Sequence, residues 1–505
     1  MTEPDAAPVH CDVLFIGAGA AGLFAALHLP ENLDVLVVDK GARGRGASLW
    51  AQGGIAAALA PEDSPDLHAE DTQRVAVGHA NAAAVEVLCS EAAGCVLELV
   101  ELGCAFDRTP GGELHLAREG GQTVARSAHA GDATGAAIMA TLRERAVPRV
   151  RRVEGSCVKL TVADGRCTGA WILTEGSLVL VQAASTVLAT GGSGGLFAST
   201  TNPPGATGDG LALAWEAGAG LSDLEFVQFH PTTLALGEGP QRPLLTEALR
   251  GAGAHVIDAE GRRFLFEYHV DGELAPRDVV ARAIASRRSW LDCRHLDVRV
   301  LEEEFFTVVR NCRAAGLDPA QDLLPVEPAA HYSIGGIQTD LDGRSSLPRL
   351  YAIGECSNTG VHGANRLAGN SLAEALVFGR RAARAIAGQR IRASKTRPEV
   401  PDLAGSPYAD LAERWSELRA SCSEGLGMDR DAGGLRHLYD ALEPLALQPM
   451  AADRGSLELR GAAITARLMA RAALLRTESR GVHHRADHPT VDPGWAGVQL
   501  RLARN

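Results

Sequence analysis

CDVLFIGAGAAGLFAALHL, residues 11–29, opens on a short apolar run, turns on glycines spaced GxGxxG (Gly17, Gly19, Gly22) and continues with helical periodicity. LDVLVVDKG, residues 33–41, follows as a second buried strand ending in Asp39. The glycine spacing alone is weak. Strand, glycine turn, helix, strand and a terminal acid twenty residues after Gly19 together form one mechanical unit. The glycines permit a tight turn and close backbone approach, so that the helix N-terminus can meet a pyrophosphate. Asp39 can then accept from a ribose hydroxyl. The stretch predicts a dinucleotide-binding βαβ unit at the head of the chain.

Working outward, RGRGASLWAQGGIAAAL (43–59) holds more glycine and small residues than a connection needs, as expected of backbone lying against a flat ring. ASTVLATGGSGGLF (184–197) reads as strand and glycine loop, and NPPGATGDGLALAWEAGA (202–219) as a loop and a helix beginning near Asp209. YAIGE (351–355) is a third strand running to an acid. NSLAEALVFGRRAARAIAG (370–388) is an amphipathic helix with Asn370 or Ser371 as its N-cap. The dinucleotide unit is therefore discontinuous, covering 8–225 and 333–390. Residues 226–332, richer in charge and aromatics, form an inserted second domain. A Pro- and charge-rich linker at 390–407 leads into helical patterns over 405–505, read as a C-terminal helical bundle.

The 505 residues are too many for one core. A net charge of -13 argues against a general nucleic-acid binder but not against an anionic small substrate, which local arginines decide. The ten cysteines follow no CxxC or framework spacing, and no leader or long apolar run stands out, so a soluble, cytoplasmic protein without a membrane anchor is expected. Lysine occurs only at Lys40, Lys159 and Lys395, none placed for a Schiff base, so an enzyme acting on amines would need a cofactor other than pyridoxal phosphate. In GVHGANRLAGNS (360–371), Arg366 stands in a glycine-rich loop whose only nearby downstream acid is Glu374. It is either solvated or reserved for an anion from outside.

WAQGGIAAAL, ATGG, TGDG, VQFHPT, TEALRG, LAPRD, HYSIGG, IGE and HGANRLAGNSL, in this order along nearly the whole chain, resemble the succinate dehydrogenase and fumarate reductase flavoprotein superfamily, and within it the L-aspartate oxidases. The resemblance implies an α/β Rossmann-like FAD-binding domain, an inserted α+β capping domain and a C-terminal helical bundle. It implies FAD, with Gly17, Ala18, Gly19, Ala20, Ala21 and Gly22 cradling the pyrophosphate, Asp39 and Lys40 beside the adenosine ribose, and Ala47, Ser48, Gln52, Gly53 and Gly54 along the isoalloxazine. Asp209 and Glu355 are implied as further FAD contacts. Ser371 and Leu372 would open a helix whose positive end faces the reduced ring.

On the substrate side the resemblance implies His230, His331 and Arg366 as binders of a C4 dicarboxylate, which would give Arg366 its partner in two parallel hydrogen bonds. Arg277 is implied as the proton-transfer residue facing the substrate carbon; by spacing alone it could instead pair with Asp278 or Glu273. Thr246 and Arg250, i and i+4 on one helical face, are expected near a substrate carboxylate with Gln228 alongside. ESRGVHHRADHP (478–489) gathers three histidines and an aspartate, but adjacent His483 and His484 point differently on any regular element, and no metal is expected.

Two departures from the dehydrogenase pattern choose the branch. Ala47 stands where covalent members carry a histidine bonded to the flavin, so the FAD should be noncovalent. Glu119 stands where those enzymes have a phenylalanine, and in aspartate oxidases an equivalent glutamate faces the substrate ammonium. The expectation is oxidation of L-aspartate to iminoaspartate, with oxygen or fumarate reoxidising the flavin, and a product that feeds quinolinate synthase and NAD synthesis. The rivals are a soluble fumarate reductase and an electron-transfer subunit on an iron–sulfur partner.

Overall fold

Strand β1 (Val9–Ile16) runs into helix α1 (Ala20–Leu27) and returns as β2 (Val35–Asp39). The computed structural model describes residues 7–41, 46–175, 177–389 and 398–504. Residues 43–45 of the 43–59 loop, and 390–397 of the linker with Lys395, lie outside them. β1 and β2 pair in parallel with Val13 opposite Val35 and Ile16 opposite Val38. Every residue of β2 before Asp39 is buried, as the uninterrupted apolar run requires of a strand covered on both faces.

The sheet continues through β3 (Arg151–Glu154), β4 (Ser156–Ala163), β5 (Arg166–Thr174) and β6 (Ser177–Leu188) in the spatial order β3-β2-β1-β6-β5-β4. Strand Leu350–Ala352 also pairs in parallel with β6, so the chain re-enters this sheet late. The carboxyl ends of β1, β2, β6 and Leu350–Ala352 lie at one edge, where ligands of parallel sheets bind. Helices α2 (Ala47–Trp50) and α3 (Asp209–Glu216) flank that edge.

A second, antiparallel sheet is built from β7 (Val227–Leu234), β8 (His255–Ile257), β9 (Ser289–Asp292) and β10 (Leu324–Ser333), in the order β7-β10-β9-β8. Its helices α4 (Glu247–Gly251) and α5 (Arg277–Ala285) share a core of Leu249, Val280, Ile284, Leu291 and Leu324. Helix α6 (Asn370–Ala387) then packs on the first sheet. Helices Leu411–Gly425 and Ala432–Ala441 and α7 (Arg454–Leu475) bury Leu418, Leu438 and Leu459 in one cluster with Leu14 and Leu36 of that sheet. Neither Asn370 nor Ser371 caps α6. The N-cap is Gly369 at φ +80, and Asn370 spends its amide on His68 at 2.8 Å and Thr72 at 3.0 Å. No helix among the described residues is long and apolar enough to cross a membrane.

Candidate active site

A cavity of about 1020 Å³ runs from the glycine turn after β1 to the loop of Arg366. At its first end lie Gly17, Ala18, Gly19, Ala20, Ala21, Asp39 and Lys40. Gly17 has φ +108, and a Cβ there would collide with the carbonyl oxygen of Ala189, so only glycine lets β1 pass β6 this closely. Gly22 is not on the cavity wall. A Cβ at Gly22 would stand 2.7 Å from the Gly17 oxygen, so its role is to seat α1 on the strand. The Ala20 N–H at the helix start is taken by Ser48 Oγ at 3.1 Å. Lys40 Nζ joins Asp209 Oδ1 at 3.0 Å and Glu458 Oε1 at 3.2 Å, and Arg454 of α7 grips the Lys40 carbonyl. Helix α7 thus reaches the end of the cavity at Asp39 and Lys40, a contact that no spacing in the sequence signals.

The middle of the cavity is lined by Ala47, Ser48, Gln52, Gly53, Gly54, Glu355, Ser371 and Leu372. The Gln52 Oε1 atom is buried with no hydrogen-bond partner among the described residues. A long slot with a glycine cradle at one end, small residues along its floor, an orphaned amide oxygen and the start of α6 fits a dinucleotide bearing a flat polar-edged ring. Burial pushes the Glu355 carboxyl up to about 7.

At the far end stand Glu119, His230, Thr246, Arg277, His331 and Arg366. Arg277 opens α5, and its Nε donates to Glu247 Oε2 at 2.7 Å while Nη1 donates to Gln228 Oε1 at 3.1 Å. The neighbouring acids are otherwise engaged: Asp278 holds Arg282 and Glu273 holds Arg263. Glu247, buried and on the cavity wall, is the residue the sequence reading passed over, although its place three before Arg250 in TEALRG was a usable signal. Arg250 itself is displaced from expectation. It is buried behind Glu247, at 3.2 Å, with Nη1 on the Glu273 carbonyl, and it does not line the cavity. Gln228 is likewise off the wall, because Nε2 donates to Asn365 Oδ1 at 2.8 Å and the Arg366 carbonyl at 2.9 Å. Both residues lie behind the cavity wall, in contact with residues that line it.

His230 and His331 stand with ring centroids 5.1 Å apart. His331 Nδ1 lies 2.8 Å from Thr201 Oγ1, and His230 Nδ1 lies 3.1 Å from the Thr232 carbonyl, so each Nδ1 is occupied by protein. Burial, then the charge of Arg277, holds both histidines well below their usual range, so the rings are neutral. Arg366 is buried, and its Nε has no hydrogen-bond partner among the described residues. Burial and then repulsion from Arg277 pull it down to about 10. Glu119 Oε1 accepts from the Gly54 N–H at 3.0 Å, and burial followed by the charge of Glu247 raises its carboxyl above the usual range. Two guanidiniums and two neutral imidazoles can take a dianion, and the carboxylate beside them a cation. The C-terminal histidines do other work: His483 meets Arg430 at 3.0 Å, His484 meets Asp429 at 2.9 Å, and no metal cluster occurs among the described residues.

Residues 12–372 match the model of the FAD binding domain, and residues 454–502 that of the fumarate reductase flavoprotein C-terminal region. The chain is 44% identical to an L-aspartate oxidase of Caulobacter vibrioides, over 95% of this chain and 94% of the relative. To that of Nostoc sp. it is 41% identical, over 97% and 92%. Among solved structures, a mutant of E. coli quinol fumarate reductase superposes with a TM-score of 0.87 at 29% identity, covering 97% of this chain and 93% of that one. Mycobacterium smegmatis Sdh1 in complex with UQ1 gives 0.83 at 33%, covering 98% and 92%.

Proposed function

The chain belongs to the L-aspartate oxidase family of FAD-binding flavoproteins, and we propose that its far-end cluster grips both carboxylates of L-aspartate while Glu119 meets the ammonium. The enzyme oxidises L-aspartate to iminoaspartate in NAD biosynthesis, and its FAD is noncovalent. Bound FAD supplies a two-electron acceptor for the hydride of the substrate carbon, and oxygen or fumarate reoxidises it.

In this reading Arg366, His331, His230 and Thr246 hold the carboxylates, and Gln228 and Arg250 brace them from behind. Oxidation to the imine removes a hydride from the carbon that bears nitrogen and a proton from a neighbouring atom, and Arg277 manages that proton. Arginine is a poor base in water, but with Glu247 at 2.7 Å the proton need only cross one short hydrogen bond. Residues 226–332 act as a capping domain, because α4 and α5 bring Thr246, Glu247 and Arg277 over a cavity whose other wall carries Glu119 and Arg366. Residues 8–225 and 333–390 form the Rossmann-like part and 405–505 the helical domain. We place the enzyme in the cytoplasm, passing its unstable imine to a quinolinate synthase; the ten unpaired cysteines suit a reducing compartment.

The observation that carries the reading is Glu119, a buried carboxylate on the substrate side of the cavity. Aspartate has a cation for it, and succinate and fumarate do not. Anaerobic addition of L-aspartate should bleach the flavin, with succinate as the control. Bleaching by succinate but not aspartate would make the protein a fumarate reductase.

A further inference from the structure

Arg366 faces the cavity with its guanidinium over the ring of Tyr332, 4.4 Å from the centroid. Tyr332 Oη donates to Glu374 Oε2 at 2.8 Å. Glu374 also accepts from Thr359 Oγ1 at 2.6 Å and lies 3.0 Å from His362 Nε2, and all of these residues are buried. Glu374 is the nearest downstream acid to Arg366 in the chain, yet it is joined to the hydroxyl of the tyrosine whose ring the guanidinium overlies.

We propose that Tyr332 and Glu374 are positioning residues for Arg366, the ring holding the guanidinium by its face so that its N–H edge is free for a substrate carboxylate. A guanidinium lying flat over a ring uses none of its N–H donors, which all lie in its plane. A direct ion pair with Glu374 would spend two of them and satisfy the charge before any ligand arrived. With the ring as its neighbour and Glu374 bound to the ring hydroxyl, the donors stay open. The hydrogen bond to Glu374 also fixes the ring and enriches its electron density, which strengthens its hold on a cation. Burial alone would push the Glu374 carboxyl up, but His362, Thr359 and Tyr332 outweigh it and keep it ionised. Burial and then the Glu374 charge raise the Tyr332 phenol well above its usual range, so the proton stays on the ring oxygen. One strand, β10, therefore delivers His331 and the platform for Arg366 in adjacent positions.

This inference rests on Arg366 binding a substrate carboxylate, and one set of holoenzyme variants separates the two ideas. Succinate affinity is read from flavin spectral shifts and compared with KM and kcat for L-aspartate. Tyr332→Leu should weaken succinate and raise KM about 10- to 30-fold and leave kcat within about threefold. Tyr332→Phe and Glu374→Gln, which keep the ring, should cost about 3- to 10-fold and retain full FAD. Tyr332 also borders the cavity, but if it acts through Arg366, then in an Arg366→Ala background Tyr332→Leu should add less than about twofold. Additive losses, or weakening that merely follows lost FAD, would overturn the platform. So would Tyr332→Leu binding succinate like the wild type while Arg366→Ala does not. If Arg366→Ala alone leaves succinate binding unchanged, the carboxylate reading of Arg366 fails first.

Discussion

Glu247 holds Arg277 through a single carboxylate oxygen, Oε2, which lies 2.7 Å from both Nε and Nη2. Its other oxygen faces Arg250 at 3.2 Å. Burial alone would push the Glu247 carboxyl up, but Arg277 and Arg250 outweigh it and keep it ionised. In the proposed reading this carboxylate is an internal proton acceptor joined to Arg277. Glu247→Gln keeps the shape and the hydrogen bond but removes the basicity. It should lower kcat for aspartate oxidation and fumarate reduction alike by about 10² to 10⁴, with FAD content unchanged, as should Arg277→Leu. Steady-state rates normalised to flavin absorbance check this; a Glu247→Gln enzyme turning over near the wild-type rate would remove Glu247 from the proton path.

Glu119→Gln should cost L-aspartate about 10- to 150-fold in kcat/KM, the size of one charged hydrogen bond. Fumarate reduction should be unchanged or improved, because a repulsive carboxylate is removed from a site that takes a dianion. Both reactions are measured on one preparation. Equal losses would mean that Glu119 supports the Gly54 backbone, which it touches, and reads no amine.

The same carboxylate predicts a pH dependence. Burial and Glu247 raise the Glu119 carboxyl, partly opposed by Arg277 and the Gly54 N–H. The empty site therefore holds the neutral acid at pH values where a free glutamate is ionised. An ammonium binds the ionised form and expels that proton, so affinity for L-aspartate should rise with pH through the raised value and then level off. Burial depresses both His230 and His331, moving their titration to the acid side of the ordinary histidine range. In Glu119→Gln the acid limb of the kcat/KM profile should vanish. An unaltered limb would assign it to another group.

Ala47 lies on the cavity wall at the start of α2 and offers no nucleophile. Acid precipitation should therefore release all yellow colour into the supernatant. Flavin fluorescence that stays with the denatured chain on a gel would show a covalent link elsewhere.

What was legible in the chain itself is the part built from neighbours. The GxGxxG turn between two apolar runs dictates a βαβ unit, because glycine conformation and strand burial act over a few residues, and β1, α1 and β2 follow that text closely. Residue types in the substrate motifs were legible too, and His230, His331, Arg277 and Arg366 do converge on one cavity. Their partners were not. Arg277 looked to Asp278 or Glu273 by spacing, but α5 turns it toward Glu247, thirty residues earlier. Helical spacing put Arg250 beside Thr246, but only Thr246 faces the cavity, since the buried charge of Arg250 finds compensation at Glu247, which stands between it and the cavity. Tyr332 and Glu374 meet only because β10 and α6 pack together. A sequence can display which groups bear charge; in a dry interior each charge takes its partner from across the fold, and only the tertiary structure decides which groups are spent on one another and which are left for the substrate.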